Sequence, residues 1–228
     1  MSAGPSISKI DTWSSWESFC CACLHLALKS LLDSKALPES ENALNARLHG
    51  FLRVAGKKVR PNGPYDRISY ECPPQPYGES DDESPRRLKA TPDFVWGFVD
   101  HRDPDPHRNA RELAIECKRL REASRSWNYN ESYVEDGINR FIDTQKRYGI
   151  GVCSAIMVGY WQSMDATDVL QEINTAAKKH GIPLLRLSIE GWKVSAISQL
   201  DHQFNRVFPD SPFQLRHLWI DLRKGYNP

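Results

Sequence analysis

Residues 92–99, PDFVWGFV, and residues 113–118, LAIECK, carry the clearest structural signal in this chain. Both are rich in β-branched, aromatic and other apolar side chains, which are typical of buried strands. The polar loop from His101 to Ala110 lies between them. The sequence therefore predicts a β-hairpin with a long tip, formed by Asp93–Val99 and Glu112–Leu120.

Three charged side chains interrupt these apolar strands. Asp93 opens the first strand, and Glu116 and Lys118 lie inside the second. Because side chains alternate across a strand, Glu116, Lys118 and the small Ala114 point to the same face. Burial of Glu and Lys in an apolar strand costs several kcal/mol unless the charges pair, bind a metal ion or meet a ligand. The sequence thus predicts an acid and a base that share one face of the sheet.

Helical and strand-like patterns alternate on both sides of this hairpin, which predicts an α/β fold. Before the hairpin, apolar residues at helical spacing predict a helix from about Ser15 to Asp33. A second helix follows, with Ser40 as its N-cap and Glu41 in its first turn. The later patterns predict a helix over Tyr133–Tyr148, a strand over Gly151–Trp161, a helix over Ala166–His180 and a strand over Pro183–Ile189. Shorter strand-like pieces lie at Arg67–Cys72, Lys193–Ile197 and Leu215–Leu222.

The length of 228 residues allows one domain with a large core but is short for two. We expect a single domain over residues 1–228, with a core over about 40–190 and a C-terminal elaboration over about 191–228. Prolines and an acidic run predict a mobile surface insertion over about Pro73–Leu88. With 30 basic and 29 acidic residues the net charge is +1, so any binding of nucleic acid must be local. The N-terminus lacks a signal peptide and no apolar stretch is long enough to cross a bilayer, so no membrane association and a cytoplasmic location are expected.

Two groups of residues have the composition of metal sites, but for each another interpretation is favoured. Cys20, Cys23 and His25 lie in an apolar helical run, where buried thiols are common, so packing is favoured. In the loop between the hairpin strands, prolines favour an exposed tip over a metal site; its candidate ligands are His101, Asp103, Asp105 and His107.

The residues of the hairpin suit phosphodiester chemistry better. Asp93 and Glu116 offer hard oxygen ligands for Mg²⁺, and the backbone carbonyl of Cys117 could supply another. Lys118 could then hold the attacking water or stabilise the charge that develops on the phosphate. Such a set favours metal-assisted hydrolysis of phosphodiesters.

On these residues the chain resembles the PD-(D/E)xK nuclease superfamily, with Pro92-Asp93 and Glu116-Cys117-Lys118 as its motif. The resemblance covers roughly Ser40 to Trp161. It implies a restriction-endonuclease-like core of a helix, three strands, a helix and a further strand on a mixed central sheet flanked by helices. The first helix and the C-terminal strands would be additions to that core. It also implies that Asp93 and Glu116 bind Mg²⁺, for which Mn²⁺ could substitute, and that Lys118 acts at the phosphate.

Further site residues follow from this resemblance and from local charge. Glu41 matches a metal ligand of some family members, but it is equally well explained as a first-turn acid that favours the helix dipole. Gln145 and Tyr148 have a spacing that departs by one residue from the Gln and Tyr of many relatives, although one helix face could still hold both. Arg140 could contact phosphate, but surface pairing with Asp136 or Asp143 is the favoured interpretation. Arg119, Arg121 and Arg125, with Trp127 and Tyr129, form a basic and aromatic cluster that could follow a nucleic-acid backbone.

The sequence therefore leads us to expect a Mg²⁺-dependent nuclease, acting on DNA. Its size and charge suggest the effector or subunit of a restriction or anti-phage defence system, working with a protein partner or as a homodimer. One alternative is a nuclease-fold protein without turnover that binds nucleic acid or acts as a scaffold. Another is an unrelated α/β domain in which Glu116 and Lys118 form a structural ion pair.

Overall fold

The computed structural model describes residues 12–61, 68–71, 91–105, 108–208 and 211–223. Its helices, in chain order, are α1 (Trp13–Leu32), α2 (Glu41–Val59), α3 (Tyr129–Glu135) and α4 (Ala166–Lys179), with a 3₁₀ turn at Ile138–Phe141. Its strands are β1 (Ser69–Tyr70), β2 (Phe94–Val99), β3 (Ala110–Leu120), β4 (Ser154–Trp161), β5 (Arg186–Leu187), β6 (Ile197–Phe204) and β7 (Phe213–Asp221). In the part of the chain described here, no helix is long and apolar enough to span a membrane.

Within the described residues, seven strands form one mixed sheet in the order β1-β2-β3-β4-β7-β6-β5. The central strands β3, β4 and β7 are parallel, whereas the pairs at both edges are antiparallel. Every residue of β4 is buried, as expected for a strand covered on both faces. The α/β class predicted from the sequence is thus confirmed, with helices flanking a mixed sheet.

Helices cover both faces of this sheet, and each face has its own core. On one face α1 and α2 pack against Leu113, Ile115 and Cys117 of β3. On the other face α3 and α4 pack against residues that alternate with these, including Ala114. The alternation predicted for β3 is therefore confirmed. Cys20 and Cys23 are fully buried in the first core, among the apolar residues of α1.

The two N-terminal helices agree with the sequence pattern. α1 lies close to the predicted bounds. α2 begins after Ser40, whose side chain accepts a hydrogen bond from the Ala43 backbone N–H at 3.3 Å. Glu41 is therefore the first residue of α2, and its carboxylate lies next to β3.

The predicted helix over Tyr133–Tyr148 is wrong. Helix α3 ends at Glu135, and the chain turns at Gly137, which has ψ −86°. A Cβ atom on Gly137 would lie 2.4 Å from the Tyr133 carbonyl oxygen and 2.6 Å from the end of the Met157 side chain, so this turn packs too closely against α3 for a side chain. Beyond the 3₁₀ turn the chain continues in turns to Gly151, with positive φ at Arg147.

The remaining differences concern strands near the C-terminus and the long loops. Most of the predicted strand-like piece at Lys193–Ile197 forms a turn, and strand β6 begins only at Ile197. Strand β5 is shorter than predicted. In the hairpin loop, Asp103 pairs with Arg111 at 3.0 Å, while His107 lies outside the described residues. The predicted insertion over Pro73–Leu88 also lies outside them.

Candidate functional site

The hairpin brings Asp93 next to Glu116. Phe94 pairs with Ile115 across β2 and β3, so Asp93, one residue earlier, stands beside Glu116 in the antiparallel register. The Asp93 Oδ2 atom accepts a hydrogen bond of 2.6 Å from the Cys117 backbone N–H. The acid that opens β2 is therefore fixed against the motif residues of β3.

A second contact fixes Asp93 from the helix side. Its Oδ1 atom accepts a hydrogen bond from Asn45 Nδ2 at 3.0 Å, and Asn45 Oδ1 accepts one from the Tyr160 hydroxyl at 2.8 Å. Burial, together with the nearby charge of Glu116, raises the pKa of Asp93 to about 7. The site thus holds a carboxyl group that ionises near neutral pH.

Glu116 is the most buried carboxylate of the site, with 1% of its surface exposed. Its Oε1 atom lies 2.9 Å from Lys118 Nζ and 2.9 Å from Arg140 Nη1. Its Oε2 atom is buried and has no hydrogen-bond partner among the described residues. Burial raises the pKa of Glu116, although both cations oppose this rise. An oxygen in this state favours the approach of a further cation.

Lys118 lies on the same face of β3 as Glu116, as the alternation predicts. Its ammonium group donates to Glu116 Oε1 at 2.9 Å, to the Cys117 carbonyl oxygen at 3.0 Å and to Glu41 Oε1 at 3.1 Å. Burial alone would lower the pKa of Lys118, but the carboxylates of Glu116 and Glu41 outweigh it and raise the pKa. Lys118 is therefore charged, and it bonds three of the oxygens that the sequence assigns to Mg²⁺.

Glu41 reaches the site from the first turn of α2. One of its oxygens contacts Lys118, and the other accepts a hydrogen bond from the Arg119 backbone N–H at 3.1 Å. Its place at the start of the helix agrees with the helix-dipole explanation, while its contacts place it within the site. Both explanations of Glu41 are thus compatible with one position.

Arg140 does not make the surface pairing that the sequence favoured. Its guanidinium pairs with Glu116, and its Nη1 atom donates to the Tyr148 hydroxyl at 3.2 Å. The favoured pairing with Asp136 or Asp143 is therefore wrong, because the turn at Gly137 directs this segment back over β3. The proposed helix face shared by Gln145 and Tyr148 is also wrong, since Gln145 lies exposed in a turn.

A recess of about 320 Å³ opens beside Lys118. It is lined by Glu41, Lys118, Arg119, Trp127, Tyr129 and Arg140, among others. The Arg119 and Arg121 guanidinium groups lie 4.6 Å and 5.4 Å from the centre of the Tyr129 ring. The structure thus joins part of the predicted basic and aromatic cluster to the carboxylate site. Arg125 is exposed in the neighbouring loop.

The potential metal ligands are not gathered as tightly as in a preformed centre. Within the described residues, the group of three whose ligand atoms all lie within 4.8 Å of one another is Glu131, Glu135 and His180, at the surface of α3 and α4. The carboxylates of Glu41, Asp93 and Glu116 do not form such a group, and the Lys118 ammonium contacts an oxygen of Glu41 and of Glu116.

Two residues of this site were missed by the sequence analysis. Asn45 and Tyr160 are both buried and link Asp93 to α2 and β4. Asn45 gave a usable signal, because it is a polar residue on the buried face of α2, between Leu44 and Leu48. Tyr160 gave none, since tyrosine is common in buried strands.

A scan against models of protein families finds no match, and searches of curated proteins and of solved structures find no significant one. The geometry described above therefore carries the functional argument.

Proposed function

We propose that this protein is a metal-dependent nuclease of the PD-(D/E)xK type that hydrolyses phosphodiester bonds in DNA. The observation that carries the proposal is the convergence of Glu41, Asp93, Glu116 and Lys118 at one end of the β2–β3 hairpin. Glu41, Asp93 and the Glu116–Lys118 pair come from three separate parts of the sequence, and burial of Glu116 and Lys118 has a cost that a purely apolar core avoids. Sites in which burial and nearby charges shift the pKa values of such groups are commonly functional.

The order of elements supports the same family. Helix α2, strands β1 to β3, helix α3 and strand β4 follow one another as in the helix, three strands, helix and strand of a restriction-endonuclease-like core. Strands β1 to β3 are antiparallel neighbours, and β4 joins β3 in parallel. The N-terminal α1 and the strands β5 to β7 would then extend this core.

The donor set fits a divalent cation. Asp93, Glu116, the Cys117 carbonyl and Glu41 provide hard oxygens of the kind that Mg²⁺ and Mn²⁺ prefer, and the buried Glu116 Oε2 has an unused lone pair. When bound, Mg²⁺ supplies activation of the attacking water and neutralisation of phosphate charge.

The chain's own cations have separate tasks in this proposal. Lys118 supplies a positive charge and hydrogen-bond donors at the phosphate, where negative charge increases in the transition state. Arg140 Nη1 lies 2.9 Å from Glu116 Oε1, and the Tyr148 hydroxyl accepts a hydrogen bond from Arg140. Arg140 is thus a positioning residue for the Glu116 carboxylate.

A second candidate function rests on a specific observation. Lys118 and Arg140 both pair with carboxylates, which also fits a structural ion network in a protein that binds nucleic acid or acts as a scaffold without turnover. A protein partner or a second copy of the chain would suit either function, as in restriction or anti-phage defence.

Cleavage assays on plasmid DNA, single-stranded DNA and RNA with Mg²⁺, Mn²⁺ or EDTA test the proposal. We expect cleavage with either metal ion, none with EDTA, and none from Asp93→Asn. The matched control is Asp168→Asn, which changes an exposed acid on α4 and should cleave like the wild type. If no metal ion supports cleavage of any substrate, or if Asp93→Asn cleaves normally, the nuclease proposal is wrong.

A further inference from the structure

The loop before α3 presents an aromatic surface beside the carboxylate site. Trp127 is 52% exposed, although tryptophan is among the residues that a fold usually covers. Trp127 and Tyr129 line the same recess as Lys118. An exposed aromatic ring next to a phosphate-reactive site suits contact with the flat face of a nucleobase.

The backbone around Trp127 is held by hydrogen bonds. The Ser124 N–H donates to the Trp127 carbonyl oxygen at 2.8 Å. The Glu122 N–H donates to Ser163 Oγ at 2.9 Å, and Asn128 caps α3 through the Glu131 N–H. These hydrogen bonds hold the loop that carries the Trp127 ring, which lowers the entropy cost of stacking a base on the ring.

Positive charge along this loop is not neutralised by the protein. Across the residues that the structure describes, Arg119, Arg121 and Arg125 have no carboxylate within salt-bridge distance, whereas Arg111, Arg140 and Arg216 each have one. Arg119 donates instead to the neutral Glu39 carbonyl at 3.0 Å. Of the two acids that line the recess, Glu41 pairs with Lys118, and Asp136 accepts a hydrogen bond from the Ser132 hydroxyl. The recess thus offers Arg119 together with two aromatic rings, and Arg121 and Arg125 follow on the adjoining segment.

We propose that this recess binds an unpaired nucleotide next to the scissile phosphate, with the base stacked on Trp127 and the adjoining phosphates contacted by Arg119, Arg121 and Arg125. The proposal rests on the proposed function, because it assigns a substrate class to the same site. That class is single-stranded nucleic acid, or a duplex with an unpaired end.

The geometry favours unpaired over paired nucleotides for a physical reason. In a duplex both faces of each internal base are covered by its neighbours, so a protein ring cannot stack on it without unstacking. Aromatic rings combined with arginines are the usual means of holding single strands with little sequence preference. A site for intact duplex would instead need groups that reach base edges or follow both backbones.

Binding is measured in EDTA, so that no substrate is cut, by fluorescence anisotropy of a labelled oligonucleotide. The arms are a DNA single strand, the RNA of the same sequence and the blunt DNA duplex. We expect the single strand to bind at least about tenfold more tightly than the duplex, because stacking one base contributes about five- to 150-fold in affinity. Equal affinity for DNA and RNA supports a site that contacts only base and phosphate. A higher affinity for one of them supports a site that also contacts the sugar of that nucleic acid.

One pair of variants tests whether an aromatic ring is needed at Trp127. A second pair compares an arginine of the recess with an arginine elsewhere on the surface. Trp127→Ala should lose about tenfold in single-strand affinity, whereas Trp127→Phe should keep most of it. Arg119→Ala should weaken binding and reduce its salt dependence, whereas Arg186→Ala, an exposed arginine on β5, should not. Thermal unfolding of each variant verifies that the fold is retained.

Two outcomes overturn the inference. One is a duplex that binds as tightly as the single strand, and the other is Trp127→Ala binding like the wild type. Cleavage with Mg²⁺ is measured on the same preparations and judges the nuclease proposal independently. Trp127-dependent binding without cleavage would support the nucleotide site and contradict the nuclease.

Discussion

Two groups of buried polar side chains lie on the same sheet and are stabilised in opposite ways. At the end of the hairpin, Glu116 and Lys118 are buried as an ion pair of 2.9 Å with Asp93 beside them. Under α3, a chain of neutral groups runs between Trp219, Tyr133, His217 and His202.

The neutral chain is connected by short hydrogen bonds. Trp219 Nε1 donates to the Tyr133 hydroxyl at 3.0 Å, and this hydroxyl lies 2.7 Å from His217 Nδ1. His217 Nε2 lies 3.3 Å from His202 Nδ1. Burial lowers the pKa of His202 to about 4 and lowers that of His217 as well. These groups are therefore uncharged at neutral pH.

The two groups differ in whether charge is buried, and this difference distinguishes a packed core from a candidate functional site. In the neutral chain no net charge is buried, although His202 Nε2 is buried without a hydrogen-bond partner among the described residues. At the hairpin, Glu116 keeps an unpartnered buried oxygen and Asp93 has a raised pKa. The fold thus tolerates an electrostatic cost at one place and avoids it at another, which is typical of a binding or catalytic site.

The largest expected effect is on catalysis. Lys118→Ala should lower DNA cleavage by roughly two to three orders of magnitude, because it removes a charge and donors at the transition state. The matched control is Lys178→Ala, which changes an exposed lysine on α4 and should leave cleavage unchanged. Single-turnover cleavage rates with saturating Mg²⁺ measure the effect, and a loss below fivefold would contradict the role of Lys118.

The stability of the same variant separates the two functions. Removal of one partner of a buried ion pair costs about 3–5 kcal/mol, because the remaining charge is stranded. If the site binds metal, added Mg²⁺ should recover much of this loss in Lys118→Ala, since the ion replaces the ammonium beside Glu116. Urea unfolding in EDTA and in Mg²⁺ measures it. An equal loss in both solutions would favour the structural ion network.

The pH dependence of stability should have opposite signs at the two places. Between about pH 4 and 7 the folded protein keeps the Asp93 proton that the unfolded chain has lost, so this group makes stability fall as pH rises. Between about pH 4 and 6.5 the unfolded chain protonates His202 while the folded protein does not, so this group makes stability rise with pH.

Variants resolve these opposing slopes. Asp93→Asn should make the slope of stability against pH more positive over this interval, by up to about 1.4 kcal/mol per pH unit. His202→Gln should make it more negative, and part of the histidine effect should remain because His217 also titrates. The slopes come from urea unfolding at several pH values. Unchanged slopes in both variants would show that neither group has a shifted pKa.

The smallest expected effect concerns the neutral chain of hydrogen bonds under α3. Tyr133→Phe removes the hydroxyl that links Trp219 to His217 and should lower the free energy of unfolding by about 1–3 kcal/mol. Cleavage should be unaffected after correction for folded protein, because the hydroxyl lies outside the carboxylate site. A selective loss of cleavage would show that the two polar groups are coupled.

Local patterns in the sequence determined much of the framework. The Ser40 cap and the first-turn Glu41 define the start of α2, and alternation along β3 places Glu116 and Lys118 on one face. These features depend on residues two to four positions apart, whose relative directions are set by backbone geometry. For the same reason the sequence could pair Glu116 with Lys118, whereas Asp93 was added through the predicted hairpin and the family resemblance.

Only the tertiary structure decided which partners these groups have. The segment after α3 turns away from the helix at Gly137, and further along Arg206 binds the carbonyls of Tyr148, Gly149 and Val152 at 2.8 to 3.0 Å. That path brings Arg140 onto Glu116. Likewise, contact between α2 and the hairpin brings Asn45 to Asp93. Such contacts join residues far apart in sequence, and they depend on how whole elements pack, which no local periodicity encodes.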